Sequence, residues 1–269
     1  MSAAKFPGSA LVTGAAGGIG AAIALAFVEA GCKRIAITDI TSPALDEIRS
    51  KLLSKGAENV VSVPGDISSE EFVTSFIEQA YDAFGRLDYV VNVAGVMLND
   101  FVRSTDISAD QFDFINGVNY RGTWLVSRAV LKRMLKQEPV ADDPAETWRA
   151  KSRGSIVNIA SQLGVVSRPG AAAYCASKAA IIGLTRADAI DFSKDLIRVN
   201  CVCPGVVETP LTTSSPERIE AIAPAVNIAP MGRMGDVREI ADAVLFLSSS
   251  KASFVQGHAL VVDGGYVIN

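Results

Sequence analysis

A tyrosine and a lysine four residues apart, Tyr174 and Lys178, are the residues whose types and spacing most directly suggest chemistry. Residues at positions i and i+4 of a helix share one face, so the phenol and the ammonium would be neighbours. A nearby positive charge favours the ionised form of an acid, and we therefore predict that Lys178 lowers the pKa of Tyr174. Such a phenol could exchange protons near neutral pH. The alternative for the pair alone is an ordinary contact on a helix surface.

Two further polar residues could complete such a site. Ser161 ends an apolar run typical of a buried strand and precedes Tyr174 by 13 residues. Asn119 lies within residues 108–137, a run that predicts one long helix, although asparagine is a poor helix residue because its amide competes for backbone hydrogen bonds. An asparagine in that position is either tolerated by the helix or used in the site. The ordinary alternatives are a strand-end serine and a mid-helix asparagine.

A glycine-rich turn near the start of the chain predicts a dinucleotide site. A short strand ends at Thr13, and an apolar helical run follows the glycines Gly14, Gly17, Gly18 and Gly20. Such a turn lets the backbone approach a pyrophosphate, and the amino terminus of the helix offers N–H donors. The spacing differs from G-x-G-x-x-G, and a simple tight turn is the alternative.

The carboxylates after the second and third strands bear on the choice of cofactor. Asp39 ends the second strand, 19 residues after Gly20. At that distance a carboxylate is placed to accept hydrogen bonds from the adenosine ribose and to repel a 2′-phosphate, so we predict NAD rather than NADP. Asp66, just after the third strand, could meet the adenine or cap the following helix.

Strands and helices alternate along the chain, and this alternation predicts the elements that position the site. It is typical of parallel β-α-β units with helices on both faces of the sheet. We predict an α/β fold, a Rossmann-like doubly wound parallel sheet of about seven strands, with residues 1–269 as a single domain. Residues 138–153 predict a surface insertion at the end of the sheet opposite the ligand crevice, in preference to a lid or docking loop. Residues 206–232, which mix apolar and hydroxyl side chains, predict a mobile substrate lid.

Composition argues against several classes of protein. The net charge is −4 and no basic block is present, so neither nucleic acid nor an anionic membrane is an expected partner. The chain has no signal-peptide pattern and no long apolar run, and we expect a cytoplasmic protein. Cys32, Cys175, Cys201 and Cys203 lack metal-binding or redox spacing, and one histidine, His258, cannot form a metal site alone. Reduced thiols and no metal are expected.

Together these motifs resemble the short-chain dehydrogenase/reductase family over nearly the whole chain. Six motifs stand in the order of the family: residues 13–20 for TGxxxGxG, residues 92–95 for NNAG, Asn119, Ser161, residues 174–178 for YxxxK, and residues 204–205 for the PG turn. Val93 departs from the second asparagine of NNAG, which affects only a turn hydrogen bond. The insertion at residues 138–153 exceeds the usual length. The resemblance implies a seven-stranded sheet of order 3-2-1-4-5-6-7 and dimers or tetramers.

The resemblance also implies an oxidoreductase that transfers a hydride between NAD(H) and a secondary alcohol or ketone. Tyr174 would exchange a proton with the substrate oxygen and Ser161 would hold that oxygen. Lys178 would bind the nicotinamide ribose, and Asn119 would hold a water that extends a proton relay from Lys178. The residues implied for cofactor binding are Gly14, Gly17, Gly18, Ile19, Gly20, Asp39, Asp66, Ile67, Asn92, Ala94, Gly95, Tyr174, Lys178, Pro204, Gly205, Val207 and Thr209. Those expected to contact substrate are Met97, Gln162, Leu163, Val166 and Leu211.

Two other functions stay open. The same residues can support a non-redox reaction, such as a dehydratase or epimerase with bound nucleotide. A catalytically silent NAD-binding protein is the other alternative, and the intact Ser161, Tyr174 and Lys178 argue against it. The substrate expected is a moderately apolar small-molecule alcohol or ketone. Residues 179–184 continue the Tyr174 helix with almost no polar side, which favours burial against another subunit of a homo-oligomer.

Overall fold

A parallel sheet forms the centre of the molecule, and both of its faces are covered. A computed structural model describes residues 6–98, 102–141 and 147–269. These residues contain seven strands: β1 Ser9–Thr13, β2 Arg34–Asp39, β3 Asn59–Pro64, β4 Tyr89–Asn92, β5 Gly154–Ile159, β6 Ile197–Pro204 and β7 Ala259–Val262. They lie in the order β3-β2-β1-β4-β5-β6-β7, and every neighbouring pair is parallel. The predicted doubly wound sheet is confirmed.

The central strands are apolar runs because both faces of the sheet are buried. Every residue of β1 and of β5 is buried. Successive side chains of a strand point to opposite faces. Leu11 therefore packs with Phe76 in one core cluster, while Val12 packs with Phe27 in the other. Burial on both sides explains why these strands read as continuous apolar runs instead of alternating ones.

Helices cover the two faces. In the described part of the chain the α-helices are α1 Gly18–Glu29, α2 Ser42–Ser54, α3 Glu70–Phe84, α4 Ala109–Asn116, α5 Thr123–Met134, α6 Ala172–Phe192, α7 Pro210–Thr213, α8 Pro216–Ile228 and α9 Val237–Ser248. Apolar residues of α1 and α9 pack on one face of the sheet, and those of α3 and α5 pack on the other. Local sequence sets the helix ends: Ser69 Oγ accepts a hydrogen bond from Phe72 N at 3.3 Å where α3 begins, and Gly85 ends it with φ of 74°.

The prediction of one continuous helix over residues 108–137 is wrong at a point that matters for the site. α4 ends at Asn116, α5 begins at Thr123, and Gly117–Gly122 between them forms a π-helical turn. Such turns interrupt the regular hydrogen-bond ladder and are frequent at functional sites. Asn119 lies in this turn and is fully buried. The poor helix former therefore stands where the helix is irregular.

The described part of the insertion lies at the amino-terminal edge of the sheet. Val140 and Ser152 exchange backbone hydrogen bonds of 2.9 and 2.8 Å, and β5 begins two residues later. Arg149 Nη1 donates to Ser250 O at 2.8 Å and ties the segment to the end of α9. These residues lie opposite the carboxyl ends of the strands, where the insertion was predicted to enter. Residues 142–146 of the predicted insertion lie outside the described residues.

The order of strands creates a crevice at the carboxyl edge. β1 pairs with β2 on one side and with β4 on the other, so the strand order reverses its direction at β1. In sheets of this kind ligands bind outside the carboxyl ends of the strands at such a switch point. Thr13 is in register with Thr38 of β2 and Asn92 of β4, so the loops after these strands start at one level.

Two smaller observations concern the rest of the chain. No helix among the described residues is both long enough and apolar enough to cross a membrane. All four cysteines are buried and free, and Cys201 and Cys203 lie in one cluster with Ile181, as the alternation of β6 predicts.

Candidate active site

The glycine turn after β1 leaves room for a ligand and restricts its own residue types. Gly14 has φ of 66°, which disfavours other residues. A Cβ on Gly20 would lie 2.0 Å from Gly14 O, whereas a Cβ on Gly17 would meet nothing within 4 Å. Gly17 caps α1 without a side-chain hydrogen bond, and the first turn of α1 has no acidic residue. The N–H donors of that turn therefore face an open cavity, and the residues present fit a pyrophosphate.

Two carboxylates line the same end of the cavity. Asp39 Oδ2 accepts from Ala16 N at 3.0 Å and Asp39 Oδ1 accepts from Thr41 N at 3.2 Å, so the carboxylate is held against the glycine turn. Asp66 also faces the cavity, and its Oδ1 accepts from Ser68 N at 2.8 Å. Both interpretations of Asp66, a ligand contact and a turn before α3, are therefore compatible with its position.

Asn92 does not line the cavity, in contrast to its expected place among the cofactor-binding residues. Its Nδ2 donates to Ser127 Oγ at 3.0 Å and to Asn158 Oδ1 at 2.8 Å, inside the core. The reason is that β4 is still regular at Asn92, so its side chain follows the strand alternation away from the crevice. The backbone after β4 is held instead by Thr13 Oγ1, which accepts from Val93 N and Ala94 N at 3.1 and 3.2 Å.

Asn119 lies behind the cavity wall and holds it in place. Its Oδ1 accepts from Val96 N at 2.7 Å, and its Nδ2 donates to Val96 O at 2.9 Å and to Ser177 Oγ at 3.1 Å. A Cβ on Gly95 would lie 3.2 Å from Asn119 Oδ1 and 3.3 Å from Lys178 Nζ. The side chain of Asn119 thus braces the loop after β4 against α6, and its amide is engaged by protein atoms.

Ser161, Tyr174 and Lys178 meet on one wall of the cavity. β5 ends at Ile159, two residues earlier than the predicted strand, and Ser161 begins a short 3-10 turn in which its Oγ accepts from Leu163 N at 3.1 Å. Lys178 is buried, and its Nζ donates to Ile159 O at 2.9 Å and lies 5.7 Å from the centre of the Tyr174 ring. α6 therefore presents the phenol and the amine side by side at the end of β5.

The predicted lowering of the Tyr174 pKa by Lys178 is wrong in this structure. Burial raises the pKa of Tyr174 to about 12, and a side-chain hydrogen bond with Ser161 acts against that rise. Burial lowers the pKa of Lys178 to about 8, while Cys203 acts to raise it. Desolvation is the largest cause at both groups, and it disfavours the charged form of each. Burial therefore favours the uncharged forms of the phenol and of the amine.

The whole cavity has a volume of about 550 Å³. Met97, Gln162, Leu163 and Leu211, which were expected to contact substrate, line it. Val166 does not line it and instead borders a shallow depression on the outside, because the loop after Ser161 turns away at that point. Further side chains line the cavity. Ile222 and Ala225 of α8 belong to the predicted lid, whereas Phe114 of α4, Val118 of the π-helical turn and Arg168 of the loop after β5 were not predicted. Arg168 had a readable signal, since it lies between Ser161 and Tyr174.

Two helices that follow β6, α7 and α8, form another wall of the cavity. α7 and α8 lie within residues 206–232, the segment predicted to be a lid. Both begin at caps: Thr209 N donates to Thr212 Oγ1 at 3.0 Å, and Arg218 N donates to Ser215 Oγ at 3.2 Å. Arg218 Nε donates to Leu211 O at 3.3 Å and its Nη1 to Leu98 O at 3.4 Å. One guanidinium thus links both lid helices to the loop after β4.

Known proteins resemble this chain over nearly its full length. A family model described as enoyl-(acyl carrier protein) reductase matches residues 14–267. The chain is 39% identical over 262 residues to the short-chain dehydrogenase fogB of Aspergillus ruber, with 96% of each covered. It is 37% identical over 260 residues to 2-(R)-hydroxypropyl-CoM dehydrogenase of Xanthobacter autotrophicus, with 96% of this chain and 97% of that protein covered. The crystal structure of levodione reductase matches with a TM-score of 0.87 at 27% identity, covering 98% of this chain and 99% of that one.

Proposed function

Because the chain belongs to the short-chain dehydrogenase/reductase family, and so is a dehydrogenase or reductase that uses a nicotinamide cofactor, we propose that it transfers a hydride between NAD(H) and a secondary alcohol or ketone. The observation that carries this proposal is the meeting of Tyr174, Ser161 and Lys178 on one wall of a cavity whose other end holds the glycine turn. We take the whole chain as one cofactor-binding and catalytic domain, since strands from both of its ends share one sheet.

The cofactor would lie along the carboxyl edge of the sheet. The N–H groups at the start of α1 would hold the pyrophosphate, Asp39 the ribose of the adenosine, and Lys178 the ribose of the nicotinamide. The further proposed contacts are Asp66 and Ile67 at the adenine, and Ala94, Gly95, Pro204, Gly205, Val207 and Thr209 towards the nicotinamide. The choice of NAD rests on Asp39, and among the described lining residues the only Lys or Arg are Arg168 and Lys178, which lie at the other end.

The chain's own residues would handle the proton and orient the oxygen. When bound, the nicotinamide supplies a hydride to the carbonyl carbon or accepts one from the carbinol carbon. In the reducing direction Tyr174 gives its hydroxyl proton to the substrate oxygen, and Ser161 donates a hydrogen bond to that oxygen. The phenol suits the acid role because burial raises its pKa to about 12, so it holds its proton at neutral pH. One hydride and one proton convert the ketone to the alcohol while one NADH is oxidised.

For Asn119 we propose a positioning role. Its amide is engaged by Val96 and Ser177, so it fixes the loop that carries Gly95 and thereby the wall beside Lys178. Asn119→Asp would replace the Nδ2 donor with an acceptor facing Val96 O and would displace that loop. We expect weaker NADH binding together with slower turnover, whereas a water-relay role alone would slow turnover and leave NADH binding unchanged.

The experiment that tests the proposed function is a redox screen of ketones and secondary alcohols at 340 nm, with Tyr174→Phe as the test variant. We expect Tyr174→Phe to bind NADH normally by fluorescence and to lose about 10²- to 10⁴-fold in kcat. Tyr81→Phe is the matched control, since Tyr81 lies on α3 and does not line the cavity. Retained turnover in Tyr174→Phe would exclude the proposed role, and substrate conversion without any change at 340 nm would indicate a non-redox reaction.

We also propose that the protein is a homo-oligomer. Large apolar side chains are exposed along α4, the π-helical turn and α5, among them Phe112, Tyr120 and Trp124. The neighbouring α6 exposes Ile190 to 78%. Scattered exposed apolar residues are normal, but a group on adjacent helices is typical of a surface that another copy covers. Sedimentation of a monomer at micromolar concentration would contradict this.

A further inference from the structure

The π-helical turn Gly117–Gly122 contacts two loops that line the cavity. On one side Asn119 holds the loop after β4 through the backbone of Val96. On the other side the turn contacts residues 65–68, the loop after β3, whose first three residues line the cavity. Residues two apart on a helical turn do not share a face, so Asn119 and Arg121 reach different loops.

Arg121 holds the backbone of the loop after β3. Its Nη1 donates to Ser68 O at 2.6 Å. Ser68 N in turn donates to Asp66 Oδ1 at 2.8 Å. The guanidinium keeps its charge, and a hydrogen bond from a charged donor is shorter and stronger than one between neutral groups. Arg121 therefore fixes the residue to which the carboxylate of Asp66 is bonded.

Gly122 packs the turn directly against the same loop. It is buried, and a Cβ at this position would lie 2.8 Å from Ile67 Cδ1 and 3.3 Å from Ile67 O. A residue with a Cβ at position 122 would therefore force Ile67 to shift. Ile67 is 5% exposed and lines the cavity, so the place of its side chain in the cavity depends on the turn.

The loop after β3 is fixed near both of its ends. Gly65 N donates to Asp39 O at 2.9 Å at the start of the loop, and Arg121 holds Ser68 O near its end. Ordering a loop when a ligand binds costs free energy, and contacts that fix the loop beforehand remove part of that cost. Arg121 does not line the cavity, so its contribution to binding acts through the loop.

We propose that Arg121 is a positioning residue for the adenosine half of the cofactor. It holds the loop that carries Asp66 and Ile67 and does not itself contact the cofactor. The inference rests on the proposed function, because it takes these two side chains as adenosine contacts. Through Asn119 and Arg121 one π-helical turn then supports both halves of the cofactor site, the nicotinamide half by the loop after β4 and the adenosine half by the loop after β3.

Fragments of the cofactor separate these two halves. The Kd is measured for NADH, for ADP-ribose, which contains the adenosine, and for reduced nicotinamide mononucleotide, which lacks it. The proteins are the wild type, Arg121→Gln and Arg121→Lys. Fluorescence of the reduced nicotinamide reports its two ligands, and displacement of NADH reports ADP-ribose. Arg128→Gln is the matched control, because it removes the same charge from α5, where Arg128 Nη2 donates to Glu70 Oε1 at 2.9 Å and not to the loop.

We expect Arg121→Gln to raise the Kd of NADH and of ADP-ribose by about three- to tenfold, which is the size of one hydrogen bond. The Kd of reduced nicotinamide mononucleotide stays unchanged, which also shows that the variant is folded. Arg121→Lys keeps a charged donor and retains part of the affinity, and Arg128→Gln retains all of it. An unchanged Kd of ADP-ribose in Arg121→Gln, or an equal rise for reduced nicotinamide mononucleotide, overturns the inference.

Failure of the proposed function is distinguished because these titrations do not depend on turnover. Binding of NADH without reduction of any ketone in the redox screen contradicts the proposed reaction, while the two fragments still test Arg121. A preference for NADPH contradicts only the choice of NAD, and the titrations are then made with NADPH and 2′-phospho-ADP-ribose. A wild type that binds neither dinucleotide overturns the placement of the cofactor and the role of Arg121 together.

Discussion

The two ends of the cavity are built in different ways. At the adenosine side of the cofactor end the chain contributes the glycine turn after β1, Asp39 at the end of β2 and Asp66 after β3. At the substrate end five separate segments contribute side chains: Met97, Phe114, Leu163 with Arg168, Leu211 and Ile222. The adenosine side lies within residues 14–66, whereas the substrate end is dispersed over more than a hundred residues.

The difference shows at which positions the residue type can be used to predict function. Close approach of two backbone segments excludes a Cβ, so at Gly14 and Gly20 few residue types are possible. An apolar wall tolerates any side chain of suitable volume, and a leucine there is indistinguishable in the sequence from a leucine of the core. The cofactor-binding end can therefore be predicted from the sequence. The substrate end cannot, except for a charged residue such as Arg168.

The largest effect that we predict comes from a substitution that disrupts the cofactor end. In Gly20→Ala the new Cβ would lie 2.0 Å from Gly14 O, so the turn or α1 must shift. We expect a loss of about 3 kcal/mol or more in the free energy of unfolding, together with loss of measurable NADH binding. Gly117→Ala is the control, because Gly117 has helical φ of −57° and a Cβ there meets nothing within 4 Å. Normal NADH affinity in Gly20→Ala would show that this turn does not hold the cofactor.

The second prediction concerns Lys178, which lies where the two ends meet. Its pKa in the folded chain is about 8 against 10.5 for an ordinary lysine, so between these pH values the unfolded chain binds more protons. The free energy of unfolding attributable to Lys178 therefore rises as the pH increases from about 8 to 10.5, by about 2 to 3 kcal/mol in all. Lys178→Met removes this rise, and the exposed Lys194→Met keeps it. Urea unfolding at several pH values measures the slopes, and equal slopes in all three proteins would contradict the burial of a charged amine.

The third prediction tests the basis of cofactor choice. Asp39→Asn removes the negative charge and keeps one of the two oxygen acceptors that now receive Ala16 N and Thr41 N. A 2′-phosphate would then meet less repulsion, and we expect the ratio of kcat/KM for NADH over NADPH to fall by about 10- to 100-fold. Asp66→Asn, at the same end of the cavity, should change the ratio by less than about threefold. An NADPH preference in the wild type would show that Asp39 does not govern the choice.

The fold and the cofactor end could be predicted because both depend on repeated local rules. Apolar strands alternating with helices predicted the seven parallel strands, and the crevice at the switch point between β1 and β4 follows from their order. The cluster of Ser161, Tyr174 and Lys178 could be predicted from their spacing together with that topology. The glycine turn and Asp39 were identified for the same reason, since each follows a strand directly.

The remainder depends on tertiary packing that no local pattern encodes. The π-helical turn at Asn119 needs the hydrogen bonds of that side chain to Val96 and Ser177, which are 23 and 58 residues away. Asn92 was assigned to the cofactor from a motif, but its side chain points into the core towards Ser127 and Asn158. The pKa of Tyr174 was predicted in the wrong direction because charge spacing is visible in a sequence and desolvation is not.

The smallest predicted effect compares Leu211, which lines the cavity, with Val166, which lies outside it. Leu211 lines the cavity and is 44% exposed, so a substrate that covers it would remove apolar surface from water. We expect Leu211→Ala to lower kcat/KM by about five- to tenfold, mainly through KM, for any ketone that the redox screen identifies. Val166→Ala should change it by less than about twofold, because Val166 borders only the outer depression. An equal loss in the two variants would mean that the substrate extends out of the cavity past Arg168. The outer depression would then be part of the substrate site.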